Sequence, residues 1–142
     1  MEVMLGLDIG DAHIGVAISD ELGIAAHPLC TIHRRSRKAA LAELQELIAV
    51  HPVERIIIGL PLRLNGEVGI QAQKVKVFAG ELQQQANLPI VFWDESFTTV
   101  EAEQILRGTK KRGKKRKRVI DQVAAVLILD GYLDQLRNSA EK

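Results

Sequence analysis

The stretch Arg55-Ile56-Ile57-Ile58-Gly59-Leu60 constrains the fold more than any other feature of the chain. It is apolar and β-branched with no polar alternation, the pattern of a strand buried on both faces. Such a strand needs helices on each side of its sheet. The flanking sequence supplies them. Ser36 can cap a helix running to about Val50, with Leu41, Leu44, Leu47 and Ile48 on one face, and Pro52 ends it. Pro61 and Asn65-Gly66 mark a loop over residues 61–69. A second helix then runs to about Ala86, with Val75, Phe78, Ala79 and Leu82 as its inner stripe. Asn87-Leu88-Pro89 breaks it, and residues 90–93 form a further strand.

The chain opens differently. Residues 3–9 (VMLGLDI) are a short apolar run with an acid near its end, read as a buried strand. Residues 14–19 alternate, with Ile14, Val16 and Ile18 on one side and Gly15, Ala17 and Ser19 on the other. Gly10-Asp11-Ala12-His13 between them is short enough for a hairpin turn. Residues 24–32 read as a third strand, in which Pro28 requires an edge position or a bulge. Later, Thr98 and Glu101 have the spacing of a capping box for a third helix ending near Gly108. The final helix is expected from about Val119 to Leu136. Gly59, Pro61 and Asn65-Gly66 are expected to shape the loop after the fourth strand. A meander of three strands followed by strands alternating with helices gives an α/β, five-stranded mixed sheet, antiparallel then parallel, flanked by helices. The order βββαβαβαα is that of the RNase H-like fold. With 142 residues, no internal repeat and no long linker, the expectation is a single domain over residues 1–142.

Charge is distributed unevenly. Lys110, Lys111, Arg112, Lys114, Lys115, Arg116, Lys117 and Arg118 crowd eight basic residues into nine positions. Outside that run, eleven lysines and arginines face eighteen acids, a net of −7. An acidic body with one concentrated basic segment points to a polyanionic partner, gripped through counterion release. Like charges oppose compact packing, so residues 108–118 read as a mobile basic loop, with Gly113 leaving it pliant. Cys30 is the single cysteine, which excludes an internal disulfide and suits a reducing compartment. Neither a secretory pattern at Met1–Ile9 nor an apolar run long enough to span a bilayer is present, so a cytoplasmic protein without membrane contact is expected.

Three acidic positions fall where elements end. Asp8 lies near the end of the first strand, Asp94-Glu95 directly follow the fifth, and Asp121 opens the last helix. If the first and fifth strands are neighbours, these acids converge at one edge. Singly, each has a plainer role: a turn cap, a solvated loop, or an acid favouring a helix dipole. Together, carboxylates repel one another and stay ionised with a cation between them. Oxygen donors without a His or Cys cluster favour Mg²⁺ or Mn²⁺. Two such ions, typically about 3.5–4 Å apart, clamp the attacking and leaving oxygens of a phosphodiester displacement. The histidines (His13, His27, His33, His51) lack metal-ligand spacing. Phe78, Phe92, Trp93, Phe97 and Tyr132 are a poor supply of stacking platforms, so recognition of shape and backbone is expected, with Phe78 and Phe92 in the core.

The sequence LGLDIGDAHIGVAISD at residues 5–20 resembles the opening motif of the YqgF/RuvX family of RNase H-like nucleases, as does GLPLRLNG at 59–66. DESFTTVEA at 94–102 resembles that family's Asp-Glu-Arg-x-[Ser/Thr]-Thr-x-x-Ala motif, and DQVAAVLILDGYL at 121–133 its closing helix. The resemblance implies that Asp8, Glu95 and Asp121 are catalytic, metal-holding acids. It implies Mg²⁺ or Mn²⁺ as cofactor and structured RNA (pre-rRNA) or branched DNA as partner. The activity implied is pre-16S rRNA processing, with Holliday-junction resolution as the other assignment. The acting species would be a monomer or homodimer, since a resolvase cuts two strands symmetrically. The family usually has a basic residue where this chain has His13, and Arg where it has Ser96. Thr98 and Thr99 are further phosphate-binding candidates at a helix N-terminus. Two other readings compete: an ATPase of the actin and hexokinase type, which needs a second such domain, and a non-catalytic RNA-binding or assembly factor.

Overall fold

The computed structural model describes residues 3–61, 69–94 and 113–140, with side chains in the last segment from 122 to 138. The elements are β1 (Val3–Ile9), β2 (His13–Ser19), β3 (Ala26–His33), α1 (Arg37–Val50), β4 (Val53–Leu60), α2 (Ile70–Ala86), β5 (Ile90–Asp94) and α3 (Gly113–Ala140). The expected third helix from Thr98 lies outside the described residues.

The strands form one sheet in the order β3-β2-β1-β4-β5. β1, β2 and β3 are the antiparallel meander, and β4 and β5 add in parallel to β1. The apolar run at 55–60 therefore ends up near the centre, with Ile56, Ile57 and Ile58 all fully buried. β3 is an edge strand, and Pro28 also sits at a bulge: Val16 pairs with Cys30 and Ala17 with Pro28, leaving Leu29 unmatched.

Each face of the sheet has its own apolar layer. On one, Leu5, Leu7, Ile14, Val16, Ile56 and Ile58 pack under Leu44 of α1 and Phe78 and Leu82 of α2. On the other, Met4, Ala17 and Ile57 pack under Ala125, Ile128 and Leu129 of α3. Ser36 caps α1 by accepting from the Ala39 N–H at 3.1 Å. α2 ends at Asn87, whose φ of 54° is the left-handed conformation that Asn tolerates at a helix C-terminus. Phe92 is 40% exposed, because β5 is the outer strand on that side, so it is not the core residue expected.

One expectation is corrected. α3 begins at Gly113, so Lys114, Lys115, Arg116, Lys117 and Arg118 belong to its first turns and not to a loop. Lys and Arg are good helix formers, and prolonging an existing helix needs no new nucleus. Gly59 lies inside β4, as the apolar run at 55–60 implied. Among the described residues, no helix is long and apolar enough to cross a membrane.

Candidate active site

Asp8 is the one residue of β1 that is not buried. It stands opposite Gly15 of β2, and side-chain alternation puts it on the face that α3 covers, together with Met4 and Gly6. The direction of α3 across that face is fixed by polar contacts. Near its start, Gln122 donates to the Thr31 hydroxyl at 2.9 Å. Further along, Asp130 accepts from the Ala26 N–H at 2.8 Å, and the Tyr132 hydroxyl accepts from Arg55 at 2.6 Å. Thr31 pairs with Gly15, which pairs with Asp8, whereas Arg55 pairs with Met4. α3 therefore runs antiparallel to β1, its beginning over the Asp8 end.

Gly6 permits that approach. A Cβ there would lie 2.8 Å from the Leu129 Cβ and 2.9 Å from the Ala125 carbonyl oxygen. From Ala125 back to Asp121 is about 6 Å of helix rise, and from Gly6 forward to Asp8 is about 6.6 Å of strand. The Asp121 backbone and Asp8 are thus brought to the same level at one edge of the sheet.

The fifth strand arrives at that edge differently from the expectation. β1 and β5 are not neighbours, because β4 lies between them. The register continues from Leu7–Ile58 and Gly59–Trp93, so Gly59 stands between Asp8 and Trp93. The interval is two strand spacings, about 9–10 Å, and its middle position has no side chain. Trp93 packs against α3: it stacks edge-on to Tyr132 at 6.1 Å, and a Cβ on Gly131 would meet its Nε1 at 3.0 Å. Asp94 closes β5 as an exposed residue. Glu95, Thr98, Thr99, Lys110, Lys111 and Arg112 lie outside the described residues. Lys114 to Arg118 occupy the helical turns that precede Asp121.

The donor chemistry suits a hard divalent cation. Asp8 offers carboxylate oxygen at a half-buried position, and α3 carries the Asp121 backbone to the same level. Among the described residues, no three His, Cys, Asp or Glu side chains gather, and Asp8 is the member of the acidic trio whose side chain is described. His13 and His33 lie in the paired β2 and β3 rows beyond Asp8, their rings T-shaped at 4.8 Å. His13 Nδ1 is buried without a hydrogen-bond partner among the described residues.

Sequence reasoning passed over two features of this edge. Gln122 ties α3 to β3, yet glutamine in a helix carries no distinctive signal. The cluster Arg34-Arg35-Ser36-Arg37-Lys38 is a second basic segment, overshadowed by the longer one.

Comparison with known proteins bears on the same edge. Residues 2–135 match the family model described as RuvX: Holliday junction resolvase. A protein of Carboxydothermus hydrogenoformans provisionally named pre-16S rRNA nuclease is 49% identical over 131 residues, 92% of this chain and 95% of that protein. One of Moorella thermoacetica with the same name is 48% identical over 133 residues, 94% of this chain and 95% of that protein. Among solved structures, RuvC of Thermus thermophilus in complex with a Holliday junction substrate superposes with a TM-score of 0.57 at 15% identity, covering 96% of both chains. The fowlpox virus resolvase with junction DNA gives 0.55 at 12% identity, covering 94% of this chain and 98% of that one. These two establish the RNase H-like fold, and the match along nearly the full sequence establishes more: this chain belongs to the RuvX Holliday junction resolvase family.

Proposed function

We propose that the protein is a metal-dependent endonuclease that hydrolyses phosphodiester bonds in pre-16S rRNA, using Asp8, Glu95 and Asp121. The observation that carries the reading is the antiparallel course of α3, which brings the Asp121 backbone, about two turns into that helix, to the level of Asp8. The relatives' shared name supports RNA as the substrate. The family description favours a second reading, resolution of branched DNA, at the same site.

The three acids would hold Mg²⁺ or Mn²⁺. When bound, such ions supply Lewis acidity that lowers the pKa of a water and offsets charge on the departing oxygen. In the reaction, a water oxygen attacks phosphorus, one P–O ester bond breaks, and a phosphate monoester and a hydroxyl result. Asp8 acts from a buried strand, so its backbone is rigid and its carboxylate is held at a fixed point of the edge. Gly59 sets no side chain between Asp8 and Trp93. The basic residues Lys110, Lys111, Arg112 and Lys114 to Arg118 attract the polyanion, and Thr98 and Thr99 are additional phosphate contacts. Single-domain architecture, and a monomer or homodimer as the acting species, belong to the same proposal.

The test is cleavage of a labelled precursor RNA fragment and of a four-way DNA junction in Mn²⁺ or Mg²⁺. Asp8→Asn is expected to lower the rate by more than roughly a hundredfold, since even outer-shell partners of a metal are worth about 10–100-fold. The faster-cut substrate identifies the class. Binding without cleavage, unchanged by Asp8→Asn, would instead support a non-catalytic RNA-binding factor.

A further inference from the structure

A cleft of about 440 Å³ opens beside the same edge but on the opposite face of the sheet, under α1 and α2. Its walls come from the β1–β2 turn, the entry to α1 and the first turns of α2. Three cations, Arg34, Arg37 and Lys74, face one acid, Asp11. Arg34 is held in place: its Nη1 donates to the Gly10 carbonyl at 2.7 Å, and its guanidinium lies 4.9 Å over the Phe78 ring. Neither partner neutralises its charge, and the carbonyl takes one of five N–H donors. Gly10 is two residues beyond Asp8, so this Arg is anchored to the strand end that carries the proposed catalytic acid.

The other two cations are each paired, Lys74 loosely and Arg37 closely, at 2.7 Å from Glu81. Lys74 Nζ is 3.9 Å from Asp11, with side chains 61% and 72% exposed, a pair that contributes little and that an anion can displace. Arg37 pairs with Glu81 at the surface. The facing wall is apolar: Ile70 and Val77 are 70% and 54% exposed. α2 begins there with no acid in its first turn and no side-chain cap, which leaves its positive end towards the cleft. Cations beside exposed apolar side chains match a nucleotide unit, phosphate beside sugar and base.

We propose that this cleft is a second contact for the nucleic-acid substrate, holding phosphodiester backbone with Arg34, Arg37 and Lys74 while the scissile bond lies at Asp8. The identity of the ligand rests on the nuclease reading; the position rests on the cleft alone. Asp11 opposes the phosphate and weakens the contact.

The experiment is fluorescence anisotropy with a labelled precursor-rRNA stem in EDTA, so that no cleavage intervenes, with melting curves confirming that each variant is folded. The Arg37→Gln/Lys74→Gln variant is expected to bind about tenfold more weakly at roughly 50 mM salt. Its slope of log affinity against log salt should be shallower by about 1–2. Asp11→Asn, in the same cleft, should bind about two- to threefold more tightly. Equal affinity and slope across wild type and both variants overturn the proposal, as does absence of binding by wild type. Wild-type cleavage in Mn²⁺ beside those equal affinities removes the cleft and leaves the nuclease. The tenfold effect without any cleavage retains the cleft and removes the nuclease.

Discussion

A single carboxylate holds the β2–β3 turn. Asp20 accepts from the Ile24 N–H at 2.9 Å and the Ala25 N–H at 3.1 Å, with His27 Nε2 at 3.6 Å. The Ile24 bond leads in drawing its pKa below the ordinary carboxylate value. A lowered folded value means that the stabilisation is complete above the ordinary value and is lost as pH falls through the folded one. Asp20→Asn should therefore melt below wild type at neutral pH, and the gap should close in acid. Thermal melts across that range check it, and a gap independent of pH would contradict it. Cys30 is the opposite case, its thiol pushed up by burial and then by Glu43. It should react with thiol reagents more slowly than a free cysteine at neutral pH.

Helix α3 decides the geometry of the site, and Gly6 decides the seat of α3. Gly6→Ala forces a Cβ into the Leu129 side chain and the Ala125 carbonyl. The expected result is a loss of about 1–3 kcal/mol in stability, typical of an overpacked core. Cleavage should fall further than that loss explains, because Asp121 is carried on the displaced helix. Urea unfolding and steady-state rates on one preparation separate the two. β1 followed from its apolar run residue for residue, α1 from its cap, stripe and breaker, and α2 from its stripe and breaker, because those signals are local. Asp8 was found by the same means, as the acid in an apolar strand. The insertion of β4 between β1 and β5 was not, since strand order depends on where crossovers land and not on any segment's pattern. The helical start of α3 was missed for another reason: repulsion among Lys114–Arg118 was weighed above their helix propensity.

On the proposed reading, charge and fold together would direct a polyanion to one edge. Residues outside 110–118 carry a net of −7, so non-specific attraction to nucleic acid is confined to the basic segment and the smaller patch around Arg34. On that reading, phosphate would be repelled at the three acids without a cation. The nuclease reading thus requires that metal binding be linked to folding through Asp8. A ligand at a hundred times its dissociation constant adds about 2.7 kcal/mol to stability. The measurement that tests this most directly is the melting temperature of wild type and Asp8→Asn, with and without saturating Mn²⁺. The account predicts a rise of roughly 5–10 °C for wild type and little or none for Asp8→Asn. An equal rise in both proteins would contradict it, placing the metal elsewhere.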